Sequence, residues 1–307
     1  MKSRQLVHFL AVYDQGSISA AAKVLHITQP ALSKSIRQME DSMNVRLFER
    51  TSKGLIPSRF GHLIARHGHT INQEVDHAMA EIRMLRDGLR GNITIGAGIL
   101  WMERYLPKVV AELNRRRPAL SVQLVGGLRN TLMPGLINGS IDVVCMMLDT
   151  PGFDNISKIP LFEMSHVFIA RQGHPLAASE STLDIAQLAE YPWLSMYGDE
   201  TARARLSVLL SANNLPDPVI AAEFTSVTSM VRVLCEGDFL AHIPDRLVPV
   251  LQTMGIVALP FSQNFWNGMA GLTYRATPEP SPEVQAFLDV VLEMAPSWNE
   301  DTSLTIP

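Results

Sequence analysis

Along the first forty residues, apolar positions recur with the period of a helix three times over. Leu6, Phe9, Leu10 and Tyr13 repeat at i, i+3, i+4 and i+7, which predicts a first helix over residues 4–14. Gly16 stops it and Ser17 can cap the next. Ile18, Ala21, Ala22 and Leu25 share one face of a short second helix, after which His26 and Ile27 make a tight turn. Thr28 then stands where its hydroxyl can cap a third helix. Pro30 falls in that helix's first turn, where its missing N–H costs nothing. Leu32, Ile36 and Met39 point inward, which leaves Gln29, Ser33, Lys34 and Arg37 outside. An amide, a hydroxyl and two cations on the N-terminal half of an exposed helix suit base edges and phosphates, and Lys34 fits either. The run Ala20-Ala21-Ala22 lets the second helix cross close to the third, as a helix-turn-helix requires.

Beyond the third helix, Val45, Leu47 and Phe48 read as core plugs. Arg50-Thr-Ser-Lys53-Gly54 reads as a hairpin tip carrying two cations. Ser58 opens a long helix over about 59–87. Its apolar positions Phe60, Ile64, Ile71, Val75, Ala78, Ile82 and Leu85 form a seam of 3- and 4-residue steps that only His67 interrupts. Sustained over four heptads, this predicts pairing with a second helix. At about 1.5 Å per residue the helix spans roughly 40 Å, too long for a mere connector. Arg86-Asp-Gly-Leu-Arg-Gly91 ends it.

From residue 92 the pattern alternates strand and helix. Strands are predicted at 92–98, 121–126 and 141–148, with helices at 102–117 and 131–138 between them, and after Ile156 the run KIPLFEMSHVFIARQGHPLA reads as a strand crossing into a second subdomain. The wholly apolar run 141–148 implies a parallel strand covered on both faces. The alternation resumes with helices near 184–189, 202–213 and 226–236, strands near 193–195, 219–224, 239–243 and 270–275, and a last helix over 282–294.

The run AAAKVLHITQPALSKSIRQMEDSMNVRLFERTSKG resembles the DNA-binding signature of the LysR-type transcriptional regulators. It has the small residues of helix two, the TQPALS start of the recognition helix, a QLE-like exit (QME here) and LFER-T leading into a basic wing. The resemblance implies an N-terminal all-α winged helix-turn-helix over 1–58 and a dimerising linker helix over 59–90. It also implies an α/β two-lobe, periplasmic-binding-protein-like effector domain over 91–307. Lobe I takes about 91–161 and 266–307, and lobe II about 162–265. Thr28, Gln29, Pro30, Ser33, Lys34, Arg37, Arg50 and Lys53 become the expected contacts to a double-stranded DNA operator. The family further implies a dimer or tetramer, a small-molecule effector, and RNA polymerase as a further partner.

In open α/β sheets small molecules bind at the carboxyl ends of strands, near helix N-termini. Applied here, the candidates are Gly98, Ile99, Leu100 and Trp101, then Arg129 and Tyr197, with Thr225, Ser226 and His242 across the cleft. Trp101 and Ile99 fit lobe core equally well, and Thr225 and Ser226 fit a helix cap. Family members commonly place Ser or Thr in the first two turns to hold an anionic effector. This chain has Gly98, Leu100 and Arg129 at those positions, so apolar bulk and a cation replace hydroxyls. The expected effector is therefore a partly apolar organic anion, most simply a carboxylate.

Charge sharpens this division. Residues 1–66 hold ten Lys or Arg against four Asp or Glu, while the whole chain carries −4, which leaves −10 for the remainder. A basic head on an acidic body fits a nucleic-acid reader with a separate sensing module. Cys145 and Cys235 lie in apolar runs and read as buried small hydrophobes. Six of the nine histidines precede residue 78, and none has metal-ligand spacing. GAGILW lacks the third glycine of a dinucleotide turn, and no nucleophile motif or phosphate loop occurs. Neither a cofactor, a metal nor an enzyme activity is expected. The alternative is a solute-binding protein or enzyme on the same two-lobe fold. His8 and Asp14 break the N-terminal apolar stretch, and no run approaches the roughly 18 apolar residues of a membrane span. The expected location is the cytoplasm.

Overall fold

The computed structural model describes residues 3–51, 54–69, 71, 75, 91–149, 155–179, 181–261, 263, 265–276 and 279–300. Two compact units emerge, Met1–Gly88 with the short segment Ile137–Ser140, and Leu89–Leu136 with Ile141–Pro307.

The first unit is built on α1 (Ser3–Gln15), α2 (Ile18–Val24) and α3 (Gln29–Met43). Ser17 and Thr28 cap as expected: their hydroxyls accept from Ala20 N and Ala31 N at 3.4 Å. Leu6, Phe9, Leu10, Ala21, Ala22, Leu32, Ile36 and Met39 close one core, joined by Val12 and Leu47. The wing is a hairpin of β1 (Phe48–Thr51) and β2 (Gly54–Pro57). Lys53 at its tip lies outside the described residues, as does the Arg50 side chain.

Glu40 joins wing to recognition helix. Its buried carboxylate accepts from Leu47 N at 2.7 Å and Phe48 N at 3.3 Å, with Arg46 Nη1 at 3.1 Å on the other oxygen. Ser58 repeats the device at the wing's far end. Its hydroxyl donates to Arg46 O at 2.6 Å and accepts from Phe60 N and Gly61 N, opening helix α4 over 59–69. Gly61 is required there, because a Cβ would come within 2.3 Å of Leu47 O.

The long helix corrects one expectation. Phe60 and Ile64 are half-buried against the core of the first unit, so they are packed within their own chain. His67, Ile71 and Val75 are exposed, the last two at 47% and 56%. Ala78, Ile82 and Leu85 lie outside the described residues.

The second unit begins with β3 (Asn92–Ala97), α5 (Leu106–Arg116), β4 (Ser121–Gly126), α6 (Arg129–Asn138) and β5 (Val143–Met147). β3 pairs β4 and β5 in parallel, as the apolar runs imply. A 16-residue strand, β6 (Ile156–Arg171), then crosses into lobe II. Lobe II contains α7 (Ile185–Ala189), β7 (Trp193–Met196), α8 (Glu200–Ala212), β8 (Ile220–Phe224), α9 (Val227–Glu236), β9 (Ala241–Pro244), α10 (Val248–Gln252) and β10 (Ile256–Ala258). The chain returns through β11 (Trp266–Arg275) to α11 (Pro282–Glu300).

The sheet is mixed rather than wholly parallel, since β11 runs antiparallel to both β5 and β6. The antiparallel pairs follow from the chain crossing out along β6 and back along β11, a return that sequence periodicity does not encode. The β6–β11 register shifts at Ala270/Gly271, where a Cβ on Gly271 would meet Ile159 O at 2.0 Å. The final part of β6 pairs β9 and β10. β7 and β8 are attached to these through Leu194 N–H, which donates to Leu240 O at 2.7 Å.

A second correction concerns cysteine. Cys145 is buried on β5, but Cys235 is exposed on α9, its thiol donating to Met254 O at 3.3 Å. Position 235 sits in an amphipathic helix whose buried stripe is Met230, Val231 and Leu234, so the apolar run around it is only partly a core run. Among the described residues no helix is long and apolar enough to cross a membrane.

Replacing Glu40 with Ala leaves Leu47 N–H buried without an acceptor. A loss of about 1–3 kcal/mol in the first unit's stability is expected in urea unfolding. A change under about 0.5 kcal/mol would show that Glu40 does not hold the wing.

Candidate functional site

Two surfaces carry unspent chemistry. The first is the outer face of α3. Thr28, Gln29, Pro30, Lys34 and Arg37 are exposed, whereas Ser33 is half-buried. The helix starts at Gln29 with no acidic residue in its first turn, so its free N–H groups and partial positive charge face outward unopposed. Beside it lies the wing, fixed through Glu40. The arrangement can offer an amide, cations and helix N–H groups to a polyanion.

The second surface lies between the lobes. Arg129 begins α6 at the carboxyl end of β4, and its Nη1 stands 3.6 Å from Asp149 Oδ1, just beyond β5. The other oxygen of Asp149 lies 3.7 Å from Arg205 Nη2 on α8, in lobe II. Asn130 Nδ2 donates to Gly198 O at 3.0 Å, a second contact across the lobes. The Arg205 guanidinium sits over the Trp266 ring at 5.0 Å. Trp266 and His166 face each other in register on β11 and β6, and their rings stack at 4.3 Å. His166 in turn shares a 3.0 Å Nδ1–Nδ1 hydrogen bond with His242 on β9, one imidazole donating and the other accepting. His242 Nε2 ends the chain 3.6 Å from Asp199, the N-cap of α8.

Burial pushes His166 well below its ordinary 6.5, and His242 and Arg205 push it further in the same direction. Burial also lowers His242, with Asp199 opposing. Burial thus favours the neutral form of both rings, and the shared hydrogen bond itself requires the accepting ring to be neutral.

Of the residues expected at the effector site, Arg129 and His242 belong to this network. Gly98 is half-buried, its N–H donating to Cys145 O at 3.1 Å, and a side chain there would meet open space. Tyr197 is 69% exposed beside Gly198, and its N–H donates to Phe224 O at 2.8 Å, which brings Thr225 alongside. Thr225 and Ser226 are exposed, and Ser226 caps α9 through Ser229 N.

Leu100 and Trp101 are corrected. Both are buried, at 2% and 1% exposure, and Ile99 packs against the same core. Residues 99–100 are already helical and a π-helical turn, Trp101–Tyr105, follows. The turn directs Trp101 and Tyr105 into a cluster with Phe162 and Trp298, away from the cleft. Arg246 reaches into that cluster from lobe II, lying over Phe162 at 4.5 Å and donating to Trp298 O at 2.5 Å.

Sequence reasoning missed Asp149, His166, Asp199, Arg205 and Trp266. Asp149 was within reach, because it directly follows an apolar parallel strand and so sits at a carboxyl end. His166 and Trp266 meet only through the β6–β11 register, which no local pattern reveals.

Protonation supplies a check on the paired histidines. Both have folded values below their unfolded ones, so their contribution is complete above about pH 6.5. It falls as pH drops through the window between 6.5 and the lowered values, by up to about 1.4 kcal/mol per pH unit per histidine. His8 and His174 are lowered too, and they add to the same trend. Urea midpoints from pH 7.5 to 5 should therefore decline, and His166→Gln should flatten the decline relative to the parent. An unchanged slope in His166→Gln would mean that His166 titrates normally in the folded protein.

Residues 3–62 match the family model described as bacterial regulatory helix-turn-helix protein, lysR family. Residues 86–296 match the model described as LysR substrate binding domain. The HTH-type transcriptional regulator PcaQ of Agrobacterium fabrum is 28% identical over 302 residues, covering 96% of this chain and 95% of the relative. GbpR of Azospirillum brasilense is also 28% identical, over 86% of this chain and 78% of its own. Among solved structures, full-length CbnR complexed with its target DNA superposes with a TM-score of 0.58 at 20% identity, over 96% of this chain and 100% of that one. The OxyR C199D variant of Pseudomonas aeruginosa gives 0.62 at 18% identity, over 95% and 94%.

Proposed function

The chain belongs to the LysR family of bacterial transcriptional regulators, and from that premise we propose that it responds to a small organic carboxylate captured between the lobes of its second unit. The family itself brings DNA binding, an effector domain and regulation rather than enzymatic turnover, so the alternative of a solute-binding protein or enzyme falls. The ligand's chemistry and the residues that serve each step are the proposal.

The observation that carries it is the replacement of hydroxyls by a cation at the cleft. Arg129 stands at the N-terminus of α6 with its side chain 35% exposed, beside helix N–H groups that favour an anion. Gly98 leaves open space in the neighbouring turn. Tyr197, Thr225 and Ser226, all exposed, are assigned to offer a phenol and two hydroxyls from lobe II. A ligand bridging both lobes would favour their closed arrangement. Such closure regulates DNA binding only insofar as the two arrangements hold DNA with different affinity.

On the DNA side, Gln29 and Ser33 are assigned to base edges, and Lys34, Arg37, Arg50 and Lys53 to phosphates, with Lys34 also within the reading half of α3. Ile71 and Val75, apolar and exposed on one helix, are assigned to a homodimer seam that presents two heads to paired half-sites. A tetramer and contact with RNA polymerase belong to the same reading.

Footprinting and sedimentation test this half of the proposal. Gln29→Ala should relax operator preference by about 1–3 kcal/mol at the matched base. Ile71→Asp should dissociate the dimer and lose operator binding together, since a charge on the seam is desolvated without a partner. Unchanged specificity in the first variant, or an intact dimer in the second, would remove the corresponding assignment.

For the effector, a thermal-shift screen of organic acids at about 100 times Kd should find a ligand that adds roughly 2.7 kcal/mol. Arg129→Ala should lose most of that gain while still binding DNA. An effector that binds Arg129→Ala as well as the parent would reduce Arg129 to a surface charge.

A further inference from the structure

Resting on the reading of a carboxylate effector, we propose that Arg205 completes a two-arginine carboxylate site with Arg129, and that the Asp149 carboxylate now between them is the group an effector carboxylate displaces.

These two contacts are long, like His242–Asp199 at 3.6 Å and Arg275–Asp142 at 3.5 Å and unlike the close ion pairs of the unit. Arg116–Glu293 closes to 2.6 Å and Arg171–Asp238 to 2.7 Å, both true charge-assisted hydrogen bonds. Asp149 stands 3.6 Å from Arg129 and 3.7 Å from Arg205, beyond hydrogen-bond length on both sides. Each of its oxygens faces a different guanidinium, so it balances two cations and satisfies neither. The three side chains keep contact with solvent, at 35% exposure for Arg129, 41% for Arg205 and 20% for Asp149. A contact of this kind exchanges readily with another carboxylate.

Arg205 does not depend on Asp149 for its position, because Trp266 supports its guanidinium from below at 5.0 Å. Trp266 is itself fixed by the stack on His166. Its indole N–H is buried and has no acceptor among the described residues, a free donor beside the same guanidinium. The two arginines also come from opposite lobes, Arg129 from α6 and Arg205 from α8. A carboxylate held by both would join the lobes more strongly than Asp149 does, since it can approach each guanidinium to hydrogen-bond distance. Asp149, tethered to the end of β5, does not. Ligand capture and lobe closure would then be one event.

The test uses the full chain with acetate as a bare carboxylate probe, and acetamide at matched ionic strength as the neutral control. Asp149→Asn should bind acetate about fivefold more tightly than the parent or better. Acetamide should not discriminate between them. In an Arg205→Gln background the gain from Asp149→Asn should vanish, because displacement needs both cations; a long-range charge effect would persist. Arg205→Lys, which keeps the charge but loses the two-pronged donor, should recover part of the affinity and guards against a folding defect in Arg205→Gln. Equal acetate affinity in parent and Asp149→Asn, no acetate binding by Asp149→Asn, or a gain that survives Arg205→Gln would each overturn the proposal. An organic acid that binds the parent, fails with Arg129→Ala and ignores Asp149→Asn and Arg205→Gln would overturn it while leaving the carboxylate reading intact.

Discussion

Because β6 runs for 16 residues without a break, one stretch of chain takes part in the sheet pairing of both lobes. Its earlier part is committed to β11 over Ile156–His166, and its later part to β9 and β10. Neither lobe can move far without bending this strand and its partner β11. The crossing therefore holds the lobes together. His166 lies at the changeover, opposite Trp266 on one edge and Pro244 on the other. The polar network of the cleft is anchored at the place where the sheet passes from one lobe to the next. That position explains why a buried, neutral histidine pair is tolerated there: the sheet holds both rings in hydrogen-bonding register, and each offers the other the partner that burial would otherwise deny.

In the first unit the comparable constraint is a single carboxylate. Glu40 lies on the inner face of the recognition helix, three turns beyond its start, and takes the N–H groups of Leu47 and Phe48. Burying an acid is costly unless its oxygens are satisfied. Here the satisfaction comes from the first residues of the wing, so the helix and the hairpin are positioned by the same group. A recognition helix whose exposed side chains are to meet base edges needs such a support, since a small misplacement of the wing alters which phosphates it can reach.

What the sequence made legible was local. Helix periodicity, the Ser17, Thr28 and Ser58 caps, the hairpin and the parallel strands all depend on residues within a few positions of each other, and they stand where the pattern placed them. What it hid was set by contacts between distant segments. Trp101 looked like a cleft residue because it follows a strand, yet a π-helical turn carries it into the core. Cys235 looked buried because its neighbours are apolar, yet it falls on the outer side of α9. Phe60 and Ile64 fit a long seam on paper, but the nearest apolar surface is their own unit's core and they take it. Arg129 was found and its two partners were not, because Asp149 and Arg205 join it only when α6, β5 and α8 converge.

The cleft also bounds how strongly a ligand can act. A ligand shifts the balance between two lobe arrangements only by the difference in its affinity for them. Among the described residues, Asn130 to Gly198 and Arg205 to Asp149 are contacts that cross the cleft near Arg129. The first joins a neutral amide to a backbone carbonyl and needs no ligand. The second is long, partly solvated and carries an excess of positive charge, so it contributes little holding force of its own. An anion that replaces it gains contacts in the arrangement where the two arginines converge and loses them where they part. Of the contacts between the lobes, this one is therefore the most sensitive to ligand charge, and the chemistry of the effector should be decided there rather than at the apolar turn after β3.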